Sequence, residues 1–244
     1  MKKMINYAIG AVALLALWQL AHIVLDSNVL PSPWAVMLAL PGLLGRGIGG
    51  HMLSSLARVF VAILLSMLLG LIVGIVAAGD GIVARVLTAF LYFTYPMPRV
   101  AMLPVVLLIF GISNTAKIIM VGLIVVYPIV VIVRDSIRDI PRPMYNNLIC
   151  YGANKWQIFT HITLPWAVTA MFSTLRVSLG TSFSVLFFVE TYGTRTGMGF
   201  FIQDAWMRVA YVDMFGGIMI LGLAGFIIFV LVDIMEHFLL KWKH

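Results

Sequence analysis

Charge is scarce in this chain. Of 244 residues only 10% are Asp, Glu, Lys or Arg, against 62% hydrophobic, and the mean hydropathy is +1.08. A water-soluble globule of this size could not cover itself with so little polar surface, so the chain reads as an integral membrane protein. Cysteine is nearly absent: Cys150 stands alone, no intramolecular disulfide can form, and the redox compartment is not legible. No Gly-x-x-x-x-Gly-Lys-Ser/Thr phosphate loop occurs, so this chain is not expected to bind and hydrolyse ATP in the usual way. The five histidines, His22, His51, His161, His237 and His244, lie in different segments without a His-Glu-x-x-His motif or clustered carboxylates, so no metal site is expected. Ser184 sits in an apolar run with no His or Lys nearby. No catalytic residue and no cofactor held by this chain is expected.

Long apolar runs are what the chain has in quantity. Stretches long enough to span a bilayer as helices stand at about 7–25, 56–78, 86–110, 118–133, 166–189 and 215–238. The expected fold is therefore all-α: a polytopic membrane protein with about six transmembrane helices, forming one domain over 1–244. Lys2 and Lys3 before the first run also suit a secretory signal peptide, but the run is long for one and no small-x-small cleavage site follows, which favours a retained span. With a cytoplasmic N-terminus, one side collects Lys2, Lys3, Arg85, Arg134, Arg138, Arg142, Lys155, Lys241 and Lys243. The other holds Arg46, Lys117, Arg195 and Arg208. The basic bias places both termini in the cytoplasm. It also accounts for the net charge of +7 without nucleic acid as a partner. Residues 30–50, rich in Pro and Gly, are expected as an extracytoplasmic loop with a short interfacial helix near 34–40.

One polar interruption is far longer than a turn requires. Residues 143–165 separate one span from the next, with Leu148, Tyr151, Ile158, Phe159 and Ile162 on an apolar side and Asn146, Asn147, Asn154, Lys155, Gln157 and His161 on a polar one. Gly152 sits where a turn between two short helices needs a left-handed backbone. The third apolar run is interrupted by Tyr95-Pro96-Met97-Pro98-Arg99, where two prolines remove backbone donors and break the helix. Freed carbonyls inside a bilayer must be buried by protein or line a wet cavity, so the break marks either a pathway or a packed kink.

Charges within spans are the other candidates, because they usually face protein or water. Arg99 and Arg176 either give positive potential to an anion path or pair with carboxylates and helix carbonyls. Glu190 either faces that path or holds the loop after it. The fifth run is rich in hydroxyl and small residues, among them Ser178 and Ser182, which suit a translocation helix and close helix packing alike.

At the long loop the sequence resembles the permease subunits of ABC importers. Their cytoplasmic signature is Glu-Ala-Ala, three residues, Gly, nine residues, Ile, one residue, Leu-Pro. Gly152, Ile162, Leu164 and Pro165 stand at the required offsets, whereas the triplet positions are Asn146, Asn147 and Leu148. Leu30-Pro31-Ser32-Pro33, the approach Ser54, Ser55 and Arg58, the stretch 96–117, Leu175-Arg176, Glu190 with Gly197-Met198-Gly199, and Leu240-Lys241-Trp242 further resemble the nitrate, sulfonate and taurine branch.

The resemblance implies a type I ABC importer permease fold in the bacterial inner membrane. It implies a second copy of the chain as partner, two ATPase subunits carrying ATP and Mg, and an extracytoplasmic substrate-binding protein. Asn146, Asn147, Tyr151, Gly152, Ala153, Asn154, Lys155, Trp156 and Pro165 would then contact the ATPase. Pro96, Met97, Pro98, Arg99, Arg176, Ser178, Ser182 and Glu190 would border the path of a small anionic solute. The alternative is a secondary transporter with its substrate site at the broken third span.

Overall fold

The computed structural model describes residues 2–239, with side chains at Tyr7 and from Ile9 to Glu236. The side chains of Lys2 and Lys3, and all of Lys241 and Lys243, on which the expected orientation partly rests, lie outside the described residues. All regular structure among the described residues is helical: α1 (Lys2–Leu25), α2 (Pro33–Gly45), α3 (Ile48–Ala78), α4 (Ile82–Thr94), α5 (Leu103–Phe110), α6 (Asn114–Arg138), α7 (Arg142–Cys150), α8 (Lys155–Ile158), α9 (Leu164–Glu190), α10 (Met198–Met207) and α11 (Tyr211–Leu239). A 3₁₀ turn, Arg99–Met102, precedes α5, and a π turn, Phe159–Thr163, fuses α8 to α9.

Four helical stretches are long and apolar enough to cross a membrane: Ile48–Ala78, Asn114–Arg138, Lys155–Glu190 and Tyr211–Glu236. The expected third span is the bent pair Ile82–Thr94 and Arg99–Phe110, which meet at 95°. The sixth apolar segment, Ile9–Leu25, is a shorter helix within α1. Six apolar segments therefore stand where the sequence placed them, with the break at the two prolines.

The region 30–50 is a correction. It is not a loop with a small helix but a helical hairpin, α2 leading into α3 eight residues before the expected start of that span. Ser32 accepts a hydrogen bond from Ala35 N at 3.2 Å and Pro33 opens the helix, a strong start signal. Gly47, at φ +88°, makes the turn, and the following glycines are absorbed into α3 because Ile48 is buried below them.

The core is built by α3, α6 and α9, through residues such as Val59, Ala62, Met120, Val125, Ile129, Leu175 and Leu186. In lipid, apolar burial gives no net drive to helix association, so close packing must supply it. Gly70 and Gly74 show how close α3 and α6 come: a Cβ there would lie 2.6 Å from Ile129 Cγ2 and 2.7 Å from Val133 Cβ. At the C-terminal end of α3 Arg138 Nη2 donates to Ala77 O at 3.0 Å and so caps the helix's last carbonyls. At the opposite end of the bundle Arg46, after α2, grips Asp213 of α11 with two bonds of 2.8 and 2.9 Å.

Candidate functional site

The long loop folds as two short helices about a glycine. Tyr151 closes α7, and Gly152, at φ +79°, reverses the chain. Gly152 N donates to Ile149 O at 2.9 Å and Ala153 N to Leu148 O at 3.0 Å, the paired bonds of a Schellman stop. Immediately afterwards Asn154 and Gln157 form a reciprocal capping box at the head of α8, at 2.8 and 2.9 Å. These local bonds fix the loop without any core of its own. Every residue from Pro141 to Gln157 is at least partly exposed, with Tyr151 90% and Trp156 70% accessible. Asn146, Asn147, Gly152, Asn154 and Lys155 are exposed with them, while Ala153 is half-buried. Pro165 lies at the start of α9, beside Ile162, which is buried and roots the loop in the bundle.

At the bend between α4 and α5, Pro96, Met97 and Pro98 are exposed, and Arg99 turns inward. Its guanidinium lies 3.9 Å from the centre of the Tyr127 ring on α6. Tyr127 in turn donates its hydroxyl to Leu91 O, satisfying a carbonyl near the break. Arg99 Nη2 is buried without a hydrogen-bond partner, and no carboxylate pairs with Arg99 among the described residues. The sequence placed this cation beside a helix break, and the structure brings the two together.

Arg176 is placed differently from an open path cation. Its Nη2 meets Asp233 at 2.6 Å and Glu236 at 2.5 Å, both on α11. Pairing with Glu190 does not occur, because Glu190 is engaged by Arg58. That carboxylate is fully buried; it accepts from Arg58 Nη1, from Ser55 Oγ at 2.7 Å and from Gly199 N at 3.0 Å. Arg58 also donates to Asn114 Oδ1 at 3.0 Å and to Thr196 O and Oγ1 at 3.0 and 2.8 Å. Of the two readings of Glu190, the geometry is that of a residue holding the following loop.

For Ser178 and Ser182 the geometry is that of close helix packing. Both are buried in the core, and Ser182 Oγ donates to Ser178 O at 2.6 Å within α9. The helical period puts other small residues, Ser173, Gly180, Thr181 and Ser184, on the exposed face.

The sequence reading missed Ser55, Arg58 and Gly199 N as the partners of Glu190, Asn114 and Thr196 as further partners of Arg58, and Asp233 and Glu236 as partners of Arg176. Asp233 and Glu236 stand three residues apart in an otherwise apolar run, which puts both on one helix face. That spacing was the available signal.

Residues 66–243 match the family described as binding-protein-dependent transport system inner membrane component. The chain is 25% identical over 251 residues to the taurine transport system permease protein TauC of Escherichia coli (strain K12), covering 99% of this chain and 91% of that one. It is 27% identical over 234 residues to the putative aliphatic sulfonates transport permease protein SsuC of Bacillus subtilis (strain 168), covering 95% and 85%. Among solved structures the fold is similar to a chain of the inward-facing MetNI methionine ABC transporter, with a TM-score of 0.64 at 22% identity, covering 80% of this chain and 95% of that one. The family decides between the two transporter readings, and a secondary transporter is set aside. The chain belongs to the binding-protein-dependent transport system inner membrane components: it is a multi-pass, non-enzymatic permease subunit of an ABC importer, of the nitrate, sulfonate and taurine branch.

Proposed function

We propose that this permease works as a homodimer, driven by two ATPase subunits that carry the ATP and Mg, and conducts a small anionic solute handed over by an extracytoplasmic binding protein. The observation that carries the reading is the exposed, locally braced helix pair at 142–158, with Tyr151 and Trp156 bare on its surface. An exposed aromatic pair on a rigid polar turn has the makeup of a protein interface. It is continuous with α9 through the π turn, so a displacement of the loop is passed along a 36-residue helical stretch, Lys155–Glu190. The outer end of that stretch is clamped to α3 by Glu190 and Arg58. ATP-driven closure of the ATPases would then move α3, α6 and α9 as one body between inward-open and outward-open states.

In this reading both termini and the 142–158 pair face the cytoplasm, and the hairpin around Gly47 faces outside. The anionic character of the solute is supported by the taurine, sulfonate and nitrate names of the relatives and by Arg99, a cation with a buried, unpartnered nitrogen beside the helix break. Pro96, Met97 and Pro98 would border the path there. Arg176 would act chiefly as a charged tie between α9 and α11. Copurification tests the assembly: an ATPase should come down with the tagged permease from its native membrane, and deletion of residues 145–157 should abolish this. An ATPase retained at full stoichiometry after the deletion would refute the docking role.

A further inference from the structure

Positive charge outweighs negative in the buried polar cluster at the outer end of α3 and α6. Arg58 is 4% exposed, Lys117 3% and Glu190 0%. Glu190 is spent on Arg58, Ser55 and Gly199 N, while Arg58 has its other donors on Asn114 and Thr196. Lys117 follows Asn114 by three residues, so it shares that face of α6 and lies in the helix's first turns. There the unpaired N–H groups of a 25-residue helix add further positive potential. The Lys117 ammonium donates no hydrogen bond and makes no ion pair to any described residue. The charges that act on it are Arg58, of the same sign, and Glu190. The other polar groups bonded into the cluster are Ser55, Asn114, Thr196, and beside them His51, whose Nδ1 accepts from Gly197 N at 3.2 Å.

Two cations and a helix N-terminus here share one carboxylate that is already fully bonded, so positive charge is left over in the cluster. We propose that Lys117 and the N-terminus of α6, backed by Arg58, form a binding site for a small monovalent anion, a halide or the anionic head of a sulfonate- or nitrate-like solute. The site deepens the importer reading and rests on it: it is a protein cation at the end of the bundle that the solute enters. The ligand is either a resident halide that completes the cluster or the head group of the transported solute.

The test uses the purified full-length chain in detergent at constant pH and ionic strength, with gluconate exchanged for chloride, nitrate or methanesulfonate. The thermal midpoint should rise saturably, by about 3–6 °C near ten times the dissociation constant. Lys117→Arg should keep the rise and Lys117→Met should lose it. The same rise in Lys117→Met, or no ion-specific rise in the wild type, overturns the proposal. Should Lys117→Met not fold, bromide-soaked wild-type crystals decide: an anomalous peak against the ammonium supports the site, and none at saturating bromide overturns it. A shift with chloride that nitrate and methanesulfonate do not match identifies a resident halide, and the reverse identifies the solute head. ATPase copurification is read separately, so failure here leaves the importer reading standing.

Discussion

Glu190 and Arg58 stand 132 positions apart in the chain and form an ion pair closed off from solvent, with side chains 0% and 5% exposed. The pair joins the C-terminal end of α9 to α3, and the loop after α9 is wound tightly about the carboxylate. A Cβ on Gly197, at φ +118°, would lie 2.4 Å from Glu190 Cδ, and one on Gly199 would lie 2.4 Å from Phe187 O. The glycines are therefore required by the close approach of this loop to Glu190 and to the end of α9, and the loop after α9 is a fixed element of the bundle.

Removing one member of a buried pair leaves the other uncompensated, which costs about 3–5 kcal/mol, whereas removing both often costs far less. Glu190→Gln should thus lower the thermal midpoint and the yield of folded permease sharply. The double variant Arg58→Met, Glu190→Leu should recover much of the loss. A Glu190→Gln protein as stable as the wild type would show that the pair does not clamp the loop after α9.

The apolar segments, the proline break and the glycine turn of the long polar loop were legible because each follows from local chemistry: hydropathy over some 20 residues, missing backbone donors at Pro96 and Pro98, and backbone freedom at Gly152. The partners of charged residues were not. Glu190 could have met a cation on any of several other helices, and only the crossing of α3 over α9 selects Arg58. Arg176 looked unneutralised because its own helix offers no acid one turn away, but Asp233 and Glu236 reach it from α11. Ser178 and Ser182 were singled out by composition, which does not fix the rotation of a helix. Within α9 a shift of two or three residues separates the core face from the exposed one.

Glycine substitutions should divide into two classes. At Gly70 and Gly74 an alanine methyl meets Ile129 and Val133 at 2.6–2.8 Å, so Gly→Ala should force α3 from α6 and cost about 1–3 kcal/mol. At Gly180 and Gly222 nothing lies within 4 Å, and the same change should be neutral or slightly stabilising through helix propensity. Thermal unfolding of the four single variants checks this, and equal effects at all four would contradict the packing of α3 on α6.

Arg176 separates charge matching from path potential. Its guanidinium is paired with Asp233 and Glu236 of α11. Arg176→Lys should keep most uptake and Arg176→Gln should lose more, at equal expression. If the residue ties α9 to α11, adding Glu236→Gln to Arg176→Gln should restore some of the loss. Uptake that stays lost in the double variant, yet is kept by Lys, would instead assign Arg176 to an anion path.

Topology can be read from the chain's single, exposed cysteine. Cys150 should resist a membrane-impermeant maleimide in intact cells and react in inverted vesicles. In a Cys150→Ser background, Gly47→Cys should show the opposite pattern, since Gly47 is the turn between α2 and α3 at the other end of the bundle. Reversal of both patterns would invert the orientation of the permease.

Gly152 offers the sharpest test of coupling, because open space and backbone conformation pull apart there. No atom lies within 4 Å of a Cβ built on Gly152, so a larger side chain meets no obstacle inside the chain itself. The φ of +79° is the obstacle: asparagine tolerates the left-handed region, and a β-branched residue does not. Gly152→Asn should therefore keep the Schellman turn, and Gly152→Val should break it and release α8 from α7. Membrane insertion and midpoint should be nearly unchanged in both, since no residue of 141–157 is buried. Transport per ATP hydrolysed should fall several-fold in Gly152→Val and remain near wild type in Gly152→Asn. Equal losses in the two variants would mean that bulk against the ATPase surface matters rather than the turn. Normal transport in Gly152→Val would remove the loop from the coupling machinery altogether.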